Sequence, residues 1–567
     1  MRRSTAWTVF FITLAIFIVC LLVPLWMVIS GGFIVGGEFT LKYLFGVFQN
    51  PIYAEGLRNS VTIAMCTTTL VTLIAVPLAW LSNRYDFAGK KMMSALILVP
   101  MILPPFVGAI GFQQMFGVYG VVNSLFGLQT DWLGGGRFVG VVLLQALGLY
   151  PIMYLNVAAA LANVDPAMEE AAENLGCHGF KKFRRITLPL IMPGLFAGGT
   201  IVFIWSFTEL GTPLIMNYTR CAPVQVFDAL KEIGTNPFPY ALVFVMLSVS
   251  VLLYATSKFI FGGKAYAMQS RAATVAGMET ARGLKGLAVL LPFALVSFVA
   301  LLPHLGVVFT SVSAPGSWYQ SVLPQVFTAE NYREALSHNM TVPSIGNSLL
   351  YASVAVVLNM VIGIAVAFVV VRSDLKVRGV LDALAMLPLA VPGLVLAFGY
   401  LAISSHFANQ EWVKENPFWQ SLFDVRTNPT MFLVVAYAVR RLPYMVRSAV
   451  AGLQQTSVTL EEAAANLGAS PMKTIRRITL PLITANLIAG GMLAFAFSML
   501  EVSDSLMLAQ RADYYPITKT IYELFQLIGT GKYLASALGV WAMVFLAITI
   551  IGSSLILGKK LGALFRV

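Results

Sequence analysis

Long apolar runs separated by short polar stretches follow one another along the whole 567-residue chain. A helix needs about 20 apolar residues to cross the ~30 Å hydrocarbon core of a bilayer, and most of these runs reach that length. Only helices and closed barrels satisfy their backbone groups in lipid, and the short alternating segments of a barrel do not occur here. The pattern predicts an all-α integral membrane protein with about twelve transmembrane helices, at 7–30, 60–82, 93–118, 137–161, 187–215, 239–261, 286–313, 346–371, 380–404, 430–448, 480–508 and 534–557.

Composition agrees with this pattern, since 58% of the residues are hydrophobic and 11% are charged, whereas soluble domains carry about 25% charged residues. The net charge of +12 could indicate a nucleic-acid partner. Most lysines and arginines, however, lie in alternate loops between the apolar runs, which fixes orientation in a membrane. Membrane lipid is therefore the expected surroundings, nucleic acid is not an expected partner, and both termini are predicted to be cytoplasmic.

Four cysteines and four histidines are scattered along the chain, and their spacing builds neither a disulfide framework nor a zinc site. No nucleophile with its base and no acid–base pair can be assembled from the sequence either. We expect no resident metal, no cofactor and no enzymatic activity.

The chain repeats itself. Phe39-Thr40 recurs as Phe327-Thr328 and Asn59-Ser60 as Asn347-Ser348, both at an offset of 288 residues. After a four-residue insertion the offset becomes 292, and 169–199 matches 461–491 at 20 of 31 positions without a gap. Both copies begin and end on the same side, which predicts two parallel six-helix repeats related by an axis along the membrane normal. The expected organisation is a first half at 1–262, a cytoplasmic linker at 263–285 and a second half at 286–567.

The segment that repeats most closely is a predicted cytoplasmic loop, near 165–189 in the first half and 457–481 in the second. It reads EEAAENLGCHGFKKFRRITLPL in the first copy and EEAAANLGASPMKTIRRITLPL in the second. A short helix with acidic residues in its first turn and a glycine after its end is expected, followed by a basic helix. Loops ordinarily diverge, so two nearly identical loops indicate contact with a partner.

This pattern resembles the EAA loop of the permeases of binding-protein-dependent ABC importers, in which a glycine and an I-x-L-P sequence follow E-A-A at fixed distances. Both copies fit, and the fused layout is similar to type I permeases of the ferric-iron and thiamine kind. The resemblance implies that the first short helix couples the permease to an ATPase. The residues carried over are Glu170, Ala171, Ala172 and Gly176 in the first copy, and Glu462, Ala463, Ala464 and Gly468 in the second.

The chain has no phosphate-binding loop, because none of its Gly-Lys pairs is followed by Ser or Thr. ATP hydrolysis is therefore expected from two separate cytoplasmic ATP-binding subunits, one beneath each half. The resemblance also implies a periplasmic or lipid-anchored substrate-binding protein and a place in the bacterial inner membrane.

Carboxylates within predicted spans are candidates for a substrate pathway. Glu209 and Glu501 are repeat mates, and Asp504 lies three residues further along the same helical face. A continuous helix from Leu188 would place Glu209 about 31 Å away, near the outer mouth. Pathway residues and interfacial carboxylates in contact with water are both open interpretations.

Prolines interrupt the third span of each half, where they kink a helix and free carbonyl groups. Hinge or pathway backbone is expected there, with simple packing kinks as the alternative. The residues concerned are Pro100, Pro104, Pro388 and Pro392.

An acidic mouth favours a cation: Fe3+ prefers oxygen ligands, and an organic amine would also be attracted. The resemblance to ferric-iron permeases makes ferric iron the expected substrate. Thiamine, a polyamine, an aminophosphonate or another small solute is the alternative. A secondary transporter driven by an ion gradient would also have twelve spans and a parallel repeat, but it would need no docking loop.

Overall fold

The computed structural model describes residues 3–269 and 278–557, and helices dominate both halves. The main helices of the first half are α1 (Arg3–Phe33), α2 (Pro51–Arg84), α3 (Lys90–Leu98), α4 (Pro105–Phe116), α5 (Phe138–Ala162), α6 (Pro166–Asn174), α7 (Leu188–Phe207) and α8 (Phe238–Gln269). Those of the second half are α9 (Gly283–Ser311), α10 (Thr341–Arg372), α11 (Arg378–Ala390), α12 (Gly393–Ala408), α13 (Thr430–Gln455), α14 (Val458–Asn466), α15 (Leu480–Met499) and α16 (Gly531–Leu557).

Shorter elements connect these helices. The short α-helices are Lys42–Gln49, Val121–Phe126, Gly179–Lys182, Gly211–Ile215, Ala222–Asp228, Glu330–Ser337, Glu411–Lys414, Pro417–Phe423, Pro471–Thr474, Ser503–Leu508 and Ile517–Phe525. Turns of 3-10 helix lie at Val99–Ile102, Ala229–Glu232 and Ala512–Tyr514, and π-helical turns at Phe183–Thr187 and Ile475–Thr479. A third π-helical turn, Ile18–Leu22, lies within α1.

Two small strand pairs complete the described part. β1 (Ile34–Val35) pairs antiparallel with β2 (Glu38–Phe39) after α1. β3 (Tyr85–Asp86) pairs in parallel with β4 (Glu279–Thr280), Tyr85 lying opposite Glu279. β3–β4 fastens the chain that enters the second half to the end of α2. Helix α8 continues through Gln269 and α9 starts at Gly283, so both run into the predicted linker, whose residues 270–277 lie outside the described residues.

Within the described ranges, nine helices are long and apolar enough to cross a membrane, or up to eleven if each of two bent pairs counts as one span. Twelve spans were expected. The predicted span at 430–448 is present as helix α13, but it carries Arg440, Arg441 and Arg447 among its apolar residues. All-α membrane architecture is confirmed, and this charged helix marks the place where the bundle departs from a purely apolar one.

Both bent pairs break at repeat-related prolines. The chain turns by 107° between the segments Lys90–Met101 and Phe106–Phe126, which contain α3 and most of α4, and by 101° between α11 and α12. Pro104 precedes the first residue of α4, and Pro392 precedes that of α12. A proline cannot donate the backbone hydrogen bond that would continue the preceding helix, so each predicted third span is two helices at a sharp angle. Whether these breaks act as hinges stays a prediction.

The predicted spans at 187–215 and 480–508 are also broken, although continuous helices were expected. Helix α7 ends at Phe207 and α15 at Met499, and a short helix follows each break. Glu209 and Glu501 lie in these breaks and not on a helical wall. The distance along a straight helix therefore does not give their depth in the bundle.

The first helix of each half packs against the broken span of the other half. Gly111 of α4 meets α9, where an added Cβ would lie 2.0 Å from the carbonyl oxygen of Pro303. Its repeat mate, Gly399 of α12, meets α1, where an added Cβ would lie 2.6 Å from the carbonyl oxygen of Pro24. Small residues let helix backbones approach this closely in membranes. The two halves are thus joined by an exchange of their first helices.

We expect Gly111→Ala to destabilise the chain by about 1–3 kcal/mol, as overpacking generally does, because its methyl group would overlap the backbone of α9. Thermal unfolding in detergent measures this. Gly346→Ala is the matched control, since Gly346 lies in the long helix α10 and a Cβ added to it meets no atom within 4 Å. Equal unfolding temperatures for both variants would contradict the tight crossing.

Candidate functional site

A cavity of about 230 Å³ lies between the two halves. Glu209 and Glu501, the repeat-related carboxylates, both line it. It is also lined by Pro100, Gln145, Gly148, Pro388, Pro392 and Tyr444. The broken spans and the helix breaks of both halves therefore meet at one internal space.

In the second half, two arginines of α13 compensate the carboxylates. Glu501 forms ion pairs with both Arg440 and Arg441, and Asp504 pairs with Arg440 at 3.3 Å. Arg441 also donates to the carbonyl oxygen of Phe497 at 3.0 Å. Glu501, Asp504 and Arg441 are all buried. Buried charges of this kind need such partners, because desolvation of an unpaired ion is costly.

Glycine at position 393 makes room for this network. A Cβ added to Gly393 would lie 2.1 Å from the guanidinium carbon of Arg440. Gly393 is the first residue of α12, directly after the break at Pro392. The broken ninth span, α13 and the break after α15 are therefore held together by one charged cluster.

In the first half, the corresponding carboxylate has neutral partners. Glu209 accepts hydrogen bonds from the backbone N–H of Thr212, at 2.9 and 3.1 Å to its two oxygens, and from Gln145 Nε2 at 3.4 Å. Gln145 Oε1 in turn accepts from the hydroxyl of Ser206 at 2.5 Å. Among residues 3–269 and 278–557, no Lys, Arg or His lies within ion-pair distance of Glu209. The two walls of the cavity thus differ in charge.

The first repeated loop is a compact helix pair. Helix α6 starts at an Asp165 cap and ends before Gly176, whose φ of +79° suits glycine. The loop is tied to α7 through Glu169, which accepts from the hydroxyl of Thr187 at 2.7 Å. Lys182 lies 2.6 Å from Glu173, and its hydrogen bond and charge hold the pKa of Glu173 below its ordinary value.

The second loop has the same construction. Ser457 caps α14, and Gly468 has the same φ of +79°. Glu461 accepts from the hydroxyl of Thr479 at 3.3 Å, and Arg372 of α10 lies 3.2 Å from it. Each loop is therefore fastened to the start of the following long helix.

The sequence-predicted loop residues divide into an outer and an inner set. Ala172 and Ala464 are buried against the loop, whereas the other six are exposed: Glu170, Ala171, Gly176, Glu462, Ala463 and Gly468. The inner anchors Glu169 and Glu461 were not singled out from the sequence, although both precede the E-A-A motif directly.

Large apolar side chains are exposed at matching positions of both loops. Leu175 and its mate Leu467 are 87% and 89% exposed, and Phe180 and its mate Met472 are 78% and 72% exposed. Large exposed apolar groups are common at interaction surfaces, so both loops are candidate docking sites.

The sequence profile of the family described as binding-protein-dependent transport system inner membrane component matches the chain twice, at residues 72–261 and 359–561. The chain belongs to this family. Each half is one family unit, and each unit contains one of the repeated loops, so this is a fused, two-half, multi-pass membrane permease.

Individual proteins similar to this chain are also transport permeases. The ferric transport system permease protein FbpB of Actinobacillus pleuropneumoniae is 26% identical over 483 residues, 81% of this permease and 64% of that protein. The Fe(3+)-transport system permease protein FbpB 2 of Haemophilus influenzae is 25% identical over 510 residues, 89% of this chain and 90% of that one. The permease thus spans just under two thirds of the Actinobacillus relative's length and nine tenths of the Haemophilus one's.

Shorter relatives match one half. The molybdenum transport system permease protein ModB of Escherichia coli is 26% identical over 214 residues, 36% of this permease and 92% of that protein.

A solved bacterial ABC transporter involved in import of the acidic polysaccharide alginate matches with a TM-score of 0.35 and 13% identity, over 47% of this chain and 95% of the matched chain.

The permease does not present the acidic wall expected from Glu501 and Asp504. Arg440 and Arg441 neutralise both, so the second half contributes a compensated cluster. The sequence could have shown this, since Arg440 and Arg441 are adjacent inside a predicted span, where ionisable residues are functional candidates. Whether Glu209, Glu501 and Asp504 line a substrate pathway stays a prediction.

The difference between the walls predicts unequal effects of neutralisation on stability. Glu501→Gln should cost about 3–5 kcal/mol, as expected when one partner of a buried ion pair is removed. Glu209→Gln should cost at most about 1 kcal/mol, because only neutral hydrogen bonds change. Thermal unfolding of both variants in detergent tests this. Equal losses would contradict the compensated cluster.

Proposed function

We propose that this permease forms the substrate pathway of an ATP-driven, binding-protein-dependent importer and docks two cytoplasmic ATP-binding subunits, one at each repeated loop. The single observation that carries the proposal is the pair of matching exposed apolar faces at Leu175 and Leu467. A structural hairpin would bury these side chains. Two copies at equivalent positions fit two copies of one partner.

The loops are also placed to transmit movement. Glu169 holds the first loop to the start of α7, and Glu461 holds the second to the start of α15. Helices α7 and α15 have 20 residues each, which is about 30 Å at the helical rise. Their far ends lead into the breaks that contain Glu209 and Glu501. A shift of a docked loop would therefore reach the cavity through one rigid helix on each side.

In this proposal the loops and both termini face the cytoplasm, and hydrolysis of ATP occurs on the separate subunits. A periplasmic or lipid-anchored binding protein delivers the substrate to the opposite face. The orientation rests on the distribution of lysine and arginine between the loops.

Ferric iron is the substrate we propose, supported by the names of two relatives that align with most of this chain. Thiamine, a polyamine, an aminophosphonate or another small solute is the alternative. A secondary transporter is the competing class. Transport by the chain alone in vesicles, without nucleotide and following a proton or sodium gradient, would establish that class instead.

The docking proposal predicts that Leu175→Asp combined with Leu467→Asp abolishes co-purification with the ATP-binding subunits of the same operon. Burying two carboxylates in an apolar interface carries a large desolvation cost. Leu336→Asp is the matched control, because this leucine is also exposed, at 41%, but lies on a different short helix. Undiminished co-purification of the double variant would reject the docking role.

A second prediction concerns the loop geometry. Gly176→Val with Gly468→Val should cost about 1 kcal/mol or more per site, because valine disfavours positive φ, and should misplace both docking helices. Transport-linked ATP turnover should fall while the protein still inserts into the membrane. Gly379→Val is the control, since Gly379 has ordinary φ and open space around it. Normal turnover in the double variant would count against coupling through these loops.

A further inference from the structure

The two walls of the cavity can be compared position by position, because the two halves are repeats and Glu209 and Glu501 are repeat mates. On the second wall, the space beside Glu501 is filled by the guanidinium groups of Arg440 and Arg441. At the 292-residue offset, the first-half mates of these arginines are Gly148 and Leu149. Both line the same cavity. The first half therefore has the carboxylate without the cations.

Gly148 leaves the corresponding space open. A Cβ added there meets no atom within 4 Å, in contrast to Gly393, whose added Cβ would collide with the Arg440 guanidinium. Gln145 lies three residues before Gly148 and therefore on the same face of α5. It donates to Glu209 across to the break after α7. Carboxylate, amide and open space thus adjoin each other on one wall.

We propose that Glu209, Gln145 and the space at Gly148 form a subsite for a single cation on the first-half wall. The cation occupies the place that an arginine side chain takes on the second wall. Its class is a positively charged group that donates hydrogen bonds: an ammonium or guanidinium group, or a metal cation carrying hydrogen-bond-donating ligands such as water.

Charge compensation gives the physical reason. A carboxylate in a mostly protein-lined space is stabilised in its charged form by a nearby cation. Glu209 receives only neutral donors from the described residues around it. Glu501 and Asp504 already have their cations, so they offer a second cation little. Binding is therefore one-sided, and the arginine pair keeps the opposite wall from competing for the same ligand.

This inference rests on the proposed pathway role of the cavity, but its test needs the full-length permease alone. Lipid nanodiscs containing it are treated with dicyclohexylcarbodiimide, which modifies protonated carboxyl groups in apolar surroundings, and each carboxylate is quantified by mass spectrometry. Glu209 should be modified, and Glu501, which forms ion pairs with both Arg440 and Arg441, should be spared. Guanidinium chloride and hexaamminecobalt(III) are the two probes, with sodium chloride at equal ionic strength as reference.

At a probe concentration of about ten times Kd, the unbound fraction and the Glu209 labelling rate should fall about tenfold. Protection by guanidinium alone would assign the subsite to organic cations, and protection by hexaamminecobalt(III) to ligand-bearing metal cations. Labelling that continues at the sodium chloride rate with both probes would overturn the proposal.

Substitutions at Gly148 separate charge from size. Gly148→Arg should place an internal guanidinium beside Glu209 and abolish its labelling without any probe. Gly148→Met fills the same space without charge, so Glu209 should remain reactive but lose its protection by cations. Gly148→Ala should behave as the unmodified chain, because its methyl group meets open space. Full labelling of Glu209 in Gly148→Arg would also overturn the proposal.

A thermal-shift measurement decides the case in which Glu209 does not react with the reagent. Hexaamminecobalt(III) or a methylguanidinium salt should raise the unfolding temperature of the unmodified permease, and should leave that of Gly148→Arg and Glu209→Gln unchanged. An equal response of all three proteins would reject the subsite. Co-purification with the ATP-binding subunits is measured separately, so a failed subsite and a failed docking role give different results.

Discussion

Compensation of charge inside the bundle is the constraint on which the centre of this permease depends. The interior of a membrane-spanning helix bundle solvates ions poorly, so an internal carboxylate is stabilised by a cation or by hydrogen-bond donors. In the second half the protein supplies the partners itself, through Arg440 and Arg441. The guanidinium of Arg440 leaves no room for a side chain at Gly393, the first residue of α12, which in turn lies at the proline break. The charged cluster and the bent span are thus parts of one arrangement.

The cavity and the loops are connected by the helices α7 and α15. Each begins directly after a threonine that donates to a loop anchor, Glu169 or Glu461, and ends at a break that contains a cavity carboxylate. The crossing glycines, Gly111 and Gly399, fix the broken spans against the first helices of the opposite halves. In this arrangement one long helix on each side joins a repeated loop to the shared cavity.

The sequence predicted the helical architecture, the repeat and the two loops, because these depend on local features: apolar runs of sufficient length, a fixed offset, and a glycine at a helix end. It did not predict the breaks at Thr208 and Leu500, because the few polar residues there also fit the end of a continuous span at the membrane surface. The pairing of Arg440 with Glu501 was also missed, because a contact between residues 61 apart depends on tertiary packing. The two carboxylates at Glu501 and Asp504 predicted an acidic wall, whereas the fold places the arginines 440 and 441 beside Glu501.

Fusion of the halves into one chain has a physical consequence at the cavity. Two identical subunits related by a twofold axis must present identical walls, so an arginine beside one carboxylate would accompany an arginine beside the other. In the fused permease, position 440 is arginine whereas its mate, position 148, is glycine. The loops, by contrast, retain the same inner anchors and the same exposed apolar positions in both halves. The surfaces that would meet two copies of one partner have stayed alike, and the walls that enclose a single internal space have become different.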